Sequence, residues 1–175
     1  MNNPVLANTS NDEWSTPEEY IELARQVLGT INTDPASNEF AQLTVQADTF
    51  YTIDDNGLSK PWHGKVWLNP PYSRSKLKKF ALKLLEEMEV GQCTGAIVLT
   101  LASTDTEWFH ALADKASAIC FTRGRVKFIR PDGSVGNSPT SGHVFFYFGD
   151  DVNSFRTVFS SIGLIQINAP TSTPP

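Results

Sequence analysis

Four consecutive residues, Asn69-Pro70-Pro71-Tyr72, carry the clearest chemical signal in this chain. The prolines fix φ and lack an N–H, so the Asn69 side-chain oxygen and the Pro70 carbonyl are held as two acceptors. Two acceptors aimed at one point take both hydrogens of an –NH₂ group on a ring and draw its lone pair out of conjugation. Tyr72 offers a flat face on which that ring stacks. The motif is therefore suited to holding a planar amine for methylation; a strand-ending Asn-Pro turn beside a core tyrosine remains the alternative.

The elements around this motif alternate between strands and helices. A strand over Lys65–Leu68 runs directly into Asn69, and a helix is predicted over Lys76–Met88 from apolar residues at helical spacing. Ala96–Leu101 is a continuous apolar run, as expected for the centre of a parallel sheet. The order predicts an α/β fold, a mostly parallel open sheet with helices on both faces.

The remaining elements follow from capping, periodicity and turn residues. Thr16-Pro17-Glu18-Glu19 has the form of a capping box that opens a helix ending at Leu28, with Gly29 as its stop. Residues 35–52 are mixed, and residues 130–142 are predicted to be a loop. Further predicted elements are strands at Thr30–Asp34, Ala118–Thr122, Val126–Ile129, His143–Phe148 and Leu164–Ile167, and helices at residues 105–115 and Val152–Ile162.

The predicted strand ends suggest where a site would form. Asp34 and Asn69 both stand at strand ends, and ligands in open α/β sheets lie in the crevice beyond the carboxyl ends of the strands. We therefore expect these two side chains at one rim. Asp34 as a helix N-cap or the centre of an Asx-turn is the structural alternative.

Length and composition limit the class of protein. A chain of 175 residues with 40% hydrophobic residues indicates one globular domain at residues 13–168, with a flexible N-terminus at 1–12 and a disordered tail at 169–175. The polar N-terminus and the lack of a long apolar run favour a cytoplasmic protein without a membrane span. Cys93 and Cys120 are expected to be reduced core thiols. With a net charge of −5, any nucleic-acid contact must come from a local basic patch.

Five segments in order resemble one enzyme family, the small phage-type DNA adenine methyltransferases of the Dam family. The resemblance covers about residues 13–148 and implies the Rossmann-like fold of S-adenosylmethionine-dependent methyltransferases. It also implies methyl transfer from S-adenosylmethionine to the exocyclic amine of a flipped-out adenine in DNA. The segments are Trp14-Ser15-Thr16-Pro17, Asp34-Pro35-Ala36-Ser37, Asp55-Asn56-Gly57-Leu58 before Trp62, Trp67 to Ser73, and Arg123 to Phe128.

The same resemblance assigns the cofactor residues. It places Thr16 and Pro17 at the methionine end of the cofactor, in the segment that begins at Trp14. Asp34-Pro35-Ala36-Ser37 resembles the first cofactor motif, although no G-x-G follows it. Asp48 is the candidate for the ribose hydroxyls, and Asp54 or Asp55 for the cofactor's adenine amine; a solvated turn residue is the alternative for each. Gly57 is expected at a turn position with positive φ.

Two basic clusters are the candidates for contacting double-stranded DNA. Ser73, Arg74 and Lys76 follow the acceptor motif, and Arg123, Arg125 and Lys127 come later. The nearby Lys78, Lys79 and Lys83 fit the solvated face of a helix equally well. The loop at residues 134–141 is the best candidate for reaching a groove. The sequence is compatible with a monomer or a homodimer and has no metal-ligand spacing, since its three histidines are scattered.

Two other functions remain open at this point. A methyltransferase with the same motif would serve another planar amine or amide, such as an RNA base or a protein glutamine, and the acidic net charge favours it slightly. A nucleic-acid-binding relative without the cofactor is the second alternative, suggested by the missing glycines.

Overall fold

The computed structural model describes residues 14–137 and 139–169. The flexible N-terminus predicted for residues 1–12 and all but the first residue of the tail predicted for 169–175 lie outside this part of the chain. The described residues form one seven-stranded sheet with the order β2-β1-β3-β4-β6-β5-β7. Its strands are β1 Thr33–Asp34, β2 Thr49–Phe50, β3 Gly64–Leu68, β4 Cys93–Leu101, β5 Ala118–Thr122, β6 His143–Phe148 and β7 Gly163–Ile167.

The sheet is mostly but not fully parallel, which agrees with the expected fold class. Strands β1 to β5 all point the same way, whereas β6 and β7 point the opposite way. Strand β4 was expected at the centre of a parallel sheet; it pairs in parallel with β3 but antiparallel with β6. Its continuous apolar run reflects burial on both faces, and that burial does not depend on the direction of the neighbouring strand.

Helices cover both faces of the sheet, as predicted. Successive residues of β3 alternate between the two cores: Val66 and Leu68 face one core and Trp67 the other. The described helices do not include one long and apolar enough to cross a membrane. They are α1 Glu18–Leu28, α2 Glu39–Val45, α3 Arg74–Glu89, α4 Glu107–Lys115 and α5 Val152–Phe159, with a 3₁₀ turn at Gly57–Ser59.

The predicted capping box at the start of α1 is wrong. The helix begins at Glu18 with Pro17 in the N-cap position, and no side chain caps it. Ser15, two residues before Pro17, instead pairs with Ile129 in an isolated antiparallel bridge. Thr16 therefore follows this bridge and does not cap the helix. Gly29 ends the helix with a φ of 79°, as expected.

The segment Val126–Ile129 is extended but forms no strand of the sheet. Val126 and Phe128 are buried and Lys127 is exposed, so the period of two that suggested a strand is present. Only Ile129 makes bridges, to Ser15 and to Val135. The alternating pattern therefore reports the burial of one face and not membership of the main sheet.

The two cysteines are free thiols inside the two cores, as predicted. Cys93 begins β4 and Cys120 lies in β5. Burial raises the pKa of Cys93 to about 11 and that of Cys120 to about 12, so both are uncharged thiols near neutral pH.

The order of the strands creates a crevice between β1 and β3. After β1 the chain passes through α2 to β2 on one side, and then returns to β3 on the other side of β1. Such a reversal leaves a gap beyond the carboxyl ends of β1 and β3. Asp34 ends β1 and Asn69 follows the last residue of β3, so both stand at this gap.

Candidate active site

A cavity of about 1010 Å³ opens at the carboxyl ends of β1 and β3. Its size lies at the upper end of the range of about 300–1,000 Å³ typical of small-molecule sites, so it has room for two ligands side by side. Most of the residues expected at a cofactor or acceptor site line it: Trp14, Thr16, Asp34, Pro35, Ala36, Ser37, Asn69, Pro70, Pro71 and Tyr72. The prediction that Asp34 and Asn69 share one rim is confirmed.

Asn69 is oriented by a residue from the N-terminal segment. Its side-chain nitrogen donates to Oγ1 of Thr16 at 3.1 Å, and its Oδ1 is buried without a partner. A primary amide has one carbonyl and one NH₂ end, so fixing the nitrogen on Thr16 fixes the carbonyl as the free end. Asn69 therefore presents an acceptor to the cavity.

The segment that carries Thr16 is itself held in place on both sides. Ser15 exchanges two backbone hydrogen bonds with Ile129, at 2.8 and 2.9 Å. The Trp14 ring packs so closely on Gly136 that a Cβ there would lie 2.0 Å from it, and the Arg130 guanidinium lies 5.1 Å from the ring centroid. These contacts make residues 14–16 a fixed wall of the cavity.

Asp34 is a buried carboxyl group at the end of β1. It is 2% exposed, and burial raises its pKa to about 7 despite hydrogen bonds from Ser37, Ala36 and Gln42. Gln42 Nε2 donates to both Asp34 Oδ2 and Ser37 Oγ, at 2.9 and 2.8 Å. Oδ1 has no partner. The bond from Gln42 therefore leaves one carboxyl oxygen of Asp34 for a ligand.

Gly57 holds the turn after Asp34 by close approach and not by an unusual backbone angle. The positive φ expected at Gly57 belongs instead to Asn56, at 53°. A Cβ on Gly57 would lie 2.0 Å from the Pro35 carbonyl oxygen, so only glycine fits. The Trp62 indole also donates to the Gly57 carbonyl at 2.8 Å. Gly57, held by Trp62, thus packs against the turn that follows Asp34.

Three aromatic rings form the wall next to the acceptor motif. Tyr72 packs edge-on against Phe128 at a centroid distance of 5.8 Å, and the His143 ring lies 6.0 Å from Tyr72 and 5.3 Å from Phe128. The Tyr72 hydroxyl is buried, and burial raises its pKa well above the ordinary value. The residue as a whole is half-buried, and it lines the cavity.

Unsatisfied polar atoms concentrate at this cavity. Among the described residues, the buried side-chain N and O atoms without a hydrogen-bond partner are Asp34 Oδ1, Asn69 Oδ1, Tyr72 Oη and both ring nitrogens of His143. All four residues line the cavity. Buried polar groups are normally paired, so this cluster indicates a site built for a polar ligand.

Two of the expected cofactor acids do not line the cavity. Asp48 precedes β2, at the amino end of the strands, where it accepts from Asn32 Nδ2 at 2.8 Å. Asp55 accepts from the backbone N–H and the hydroxyl of Thr52, at 2.8 and 2.9 Å, and these bonds lower its pKa. Both carboxylates therefore have structural partners. Of the pair Asp54 and Asp55, it is Asp54 that lines the cavity.

The basic residues divide into structural and exposed groups. Lys78 pairs with Glu107, and Lys83 pairs with Glu87 beside the Trp62 ring. Lys78 is exposed, as expected for the solvated face of α3, whereas Lys83 is half-buried against Glu87 and so does not belong to that face. Lys76 and Lys79 line the cavity mouth.

The remaining candidates for DNA contact lie outside the cavity. Ser73 and Arg74 are exposed at the start of α3. Arg123, Arg125 and Lys127 are exposed along the extended segment after β5. The Arg125 guanidinium donates to the Pro139 carbonyl at 2.6 Å and so holds the loop beyond it. Pro17, which was expected at the methionine end of the cofactor, also lies outside the main cavity. It lines a shallow depression by the start of α1, together with Arg125 and Lys127.

Several lining residues were missed in the sequence. The apolar ones gave no signal because an isolated apolar side chain fits a core equally well; they are Phe40 in α2, Ile53 in a turn and Phe80 in α3. Ile53 is 71% exposed, which is unusual for a large apolar side chain beside a cavity. His143 was set aside as one of three scattered histidines. Its position at the start of a fully apolar strand was the one available clue.

Comparison with known proteins agrees with this geometry. The family model described as DNA N-6-adenine-methyltransferase (Dam) matches residues 4–172. A protein of Escherichia phage T1 described as a DNA N-6-adenine-methyltransferase is 36% identical over 111 residues. That alignment covers 62% of this chain and 43% of the phage protein, so it spans less than half of the relative's length.

Proposed function

Because the chain belongs to the Dam family of DNA N-6-adenine-methyltransferases, we propose that it transfers a methyl group from S-adenosylmethionine to the exocyclic amine of adenine in double-stranded DNA. The observation that carries the proposal is the cluster of unpaired buried polar atoms around one cavity. Asp34 and Asn69 each leave one oxygen unpaired, one suited to a cofactor and the other to an acceptor amine.

The acceptor end is built from Asn69 and Pro70. With its nitrogen on Thr16, Asn69 directs Oδ1 to accept one hydrogen of the amine, and the Pro70 carbonyl accepts the other. Two such bonds draw the lone pair away from the ring and toward the methyl donor. Holding the amine in this orientation supplies most of the rate, because positioning converts a bimolecular step into an effectively unimolecular one.

The cofactor end is built around Asp34. The cofactor's methionine part carries an ammonium group, and the unpaired Oδ1 of Asp34 fits such a cation at the floor of the cavity. S-adenosylmethionine would supply a methyl group on a sulfonium: as the amine nitrogen bonds to the methyl carbon, the carbon–sulfur bond would break, the sulfur would leave as a neutral thioether, and the nitrogen would lose one hydrogen as a proton to water. Ala36 and Ser37 keep the chain close to the ligand in place of the missing glycines, and Gly57 packs behind this turn.

Asp54 takes the ribose role in this proposal. It follows β2, the neighbour of β1, about twenty residues after Asp34, where an acid that bonds ribose hydroxyls stands in related nucleotide sites. The turn closed by Asp55 and Thr52 presents both Asp54 and the exposed Ile53 to the cavity. The Ile53 side chain then covers a ring of the bound cofactor, which accounts for its exposure in the protein without ligand.

The base must leave the duplex to reach this site. Extrusion costs roughly a few kcal/mol, and stacking on the Tyr72 ring returns about 1–3 kcal/mol. Lys76 and Lys79 at the mouth, together with the exposed Arg123, Arg125 and Lys127, contact the phosphates. These residues form the local basic surface that an acidic chain needs.

One assay tests the proposal. The protein is incubated with S-adenosylmethionine carrying a labelled methyl group and, in separate reactions, with plasmid DNA, RNA or a protein extract. Label on N6 of adenine in DNA supports the proposal, whereas label on RNA or protein alone would overturn it. Asn69→Ala should abolish transfer while titration calorimetry still detects cofactor binding. Absence of cofactor binding by the wild-type protein would favour a binding module instead.

A further inference from the structure

His143 is a buried residue of the cavity that the proposed chemistry does not yet use. It begins β6, where it pairs with Leu101 of β4 at the edge on which the cavity opens. It is 2% exposed, and neither Nδ1 nor Nε2 has a hydrogen-bond partner. A histidine that serves only the core normally pairs at least one ring nitrogen, since an unpaired buried polar atom lowers stability. Both unpaired ring nitrogens of His143 therefore lower the stability of the protein without ligand.

The surroundings of His143 keep its ring neutral. Burial, with the nearby positive charge of Arg125, lowers the pKa of His143 to about 4. A neutral imidazole has one N–H donor and one acceptor nitrogen. The ring stands against Tyr72 and Phe128, and all three side chains line the cavity, so a ligand that stacks on Tyr72 from the cavity is bound beside His143.

We propose that His143 contacts the acceptor base, donating its ring N–H to the unprotonated ring nitrogen next to the target amine. The inference rests on the proposed function. Adenine carries such a nitrogen on either side of its amine, N1 on one edge and N7 on the other. Asn69 and Pro70 accept the hydrogens of the amine, so the adjacent nitrogen needs a donor. The Tyr72 hydroxyl does not fit this role, because a ring stacked on the base holds its hydroxyl in a parallel plane.

This contact would select the acceptor by its hydrogen-bonding pattern. A base with a hydrogen on the nitrogen beside its amine would bring N–H against N–H, leaving two buried donors unpaired. The aromatic neighbours of His143 supply shape, whereas the ring nitrogen supplies the choice between an acceptor and a donor at that position. His143 is thus assigned to base recognition and not to binding of the cofactor.

The test combines a protein change with a substrate change. His143→Phe retains an aromatic ring of similar size and removes both nitrogens. After the methylated site has been mapped by sequencing plasmid DNA, duplexes are made with adenine, 1-deazaadenine or 7-deazaadenine at the target position. The value of kcat/KM is measured for wild type and variant on each duplex, with cofactor affinity and Tm as controls. His63→Gln, an exposed histidine outside the cavity lining, is the matched control.

We expect the wild-type protein to lose about 10–100-fold in kcat/KM on one of the two analogues, the one that lacks the contacted nitrogen. His143→Phe should lose a similar factor on adenine and show no further loss on that analogue. His143→Gln, whose amide N–H reaches a similar position, should recover part of the activity. Cofactor affinity should not change, and the Tm of His143→Phe should be equal to or above that of wild type.

Three results would overturn the inference. Equal losses of His143→Phe on all three duplexes, or no loss on any of them, would make His143 a packing residue while leaving the proposed function intact. If wild type methylates no DNA adenine, the proposed function fails and this inference with it. Should His143→Phe fail to fold, the same comparison with His143→Leu, which also removes both ring nitrogens, decides between these outcomes.

Discussion

The side-chain nitrogen of Asn69 donates to Oγ1 of Thr16 at 3.1 Å, although 53 positions separate the two residues in the chain. This bond decides which end of the amide faces the cavity. The carbonyl end is left buried and unpaired, which is the state an acceptor for an amine requires. The N-terminal segment thus contributes to the acceptor motif, beyond the cofactor contact that the family resemblance implies for Thr16.

Replacing Thr16 with valine should impair catalysis through Asn69. Valine has nearly the same shape but no hydroxyl, so the amide loses its fixed orientation and can turn its NH₂ toward the substrate. We expect kcat for DNA methylation to fall by about 10–100-fold, equivalent to roughly 1–3 kcal/mol. Labelled methyl transfer under saturating cofactor measures it.

Thr16→Ser is the matched control, because it keeps the hydroxyl that accepts from Asn69. Near-wild-type activity of the serine variant together with loss in the valine variant supports orientation of Asn69. If both variants retain full kcat, Asn69 holds its orientation without Thr16.

Asp34 should make cofactor affinity depend on pH. Burial raises its pKa to about 7, and a cationic ammonium binds only the ionised carboxylate well. Below the pKa, affinity should fall by roughly tenfold per pH unit, and above it affinity should level off. Titration calorimetry from pH 5.5 to 8.5 would show this, with proton release on binding near pH 6.

Asp34→Asn separates binding from stability. The variant should bind the cofactor more weakly at pH 8 and lose the pH dependence. In wild type without cofactor, the pKa of Asp34 is about 7 in the folded protein and 3.8 in the unfolded chain. The contribution of protonated Asp34 to the free energy of unfolding is therefore fully present below pH 4 and is lost as pH rises toward about 7. The variant should therefore be more stable than wild type at pH 8, by roughly 1–3 kcal/mol in chemical denaturation. Unchanged affinity at pH 8 would remove Asp34 from the site.

Tyr72 should act through its ring and not through its hydroxyl. The hydroxyl is buried without a partner, so Tyr72→Phe should leave activity within a few-fold and raise stability by about 1 kcal/mol. Tyr72→Ala should lower kcat/KM for DNA strongly, because about 1–3 kcal/mol of stacking is lost, while cofactor affinity changes little. Thermal melts and methyl-transfer kinetics on both variants test this. A phenylalanine variant as inactive as the alanine variant would assign the function to the hydroxyl.

The start of α1 shows why local sequence signals mislead near a site. Thr16-Pro17-Glu18-Glu19 has every feature of a capping box, yet Thr16 bonds Asn69 and the helix begins at Glu18 without a side-chain cap. The bridge between Ser15 and Ile129 fixes the backbone before the helix begins. A contact between distant segments, which no local pattern reports, therefore determines the local structure.

The sequence placed Asp34 and Asn69 at the site correctly, but it did not identify which of the later carboxylates line the cavity. Asp34 and Asn69 could be placed together because both follow segments predicted to be strands of one open α/β sheet, whose ligands lie beyond the carboxyl ends of the strands. Asp48 could not be excluded, since its position depends on β2, a two-residue strand with no periodic signal. The choice of Asp54 over Asp55 depends on one turn closed by Thr52. His143 required the antiparallel direction of β6, which a fully buried strand does not reveal.

Gly57 should tolerate no side chain, although its φ is ordinary. A Cβ would lie 2.0 Å from the Pro35 carbonyl oxygen, and that oxygen is a backbone atom that cannot rotate out of the way. Gly57→Ala should therefore displace the turn after Asp34, costing about 1–3 kcal/mol of stability and weakening cofactor binding. Gly142→Ala is the control, because its nearest contact would be the Ala102 side chain at 3.9 Å. Equal stability of the two variants in chemical denaturation would contradict the close packing.

DNA binding should depend on the exposed arginines of the segment after β5 and not on total charge. Arg123 stands at the carboxyl edge of the sheet, whereas Lys115 precedes β5 at the opposite edge, and both are exposed. If Arg123 contacts a phosphate, Arg123→Gln should weaken binding and reduce the slope of log K against log salt by about 0.9. Lys115→Gln changes the net charge equally and should leave both quantities unchanged. Fluorescence anisotropy with duplex DNA between about 50 and 200 mM salt measures the slopes. An equal reduction in both variants would show that binding follows net charge, and the phosphate contacts would have to be sought elsewhere on the surface.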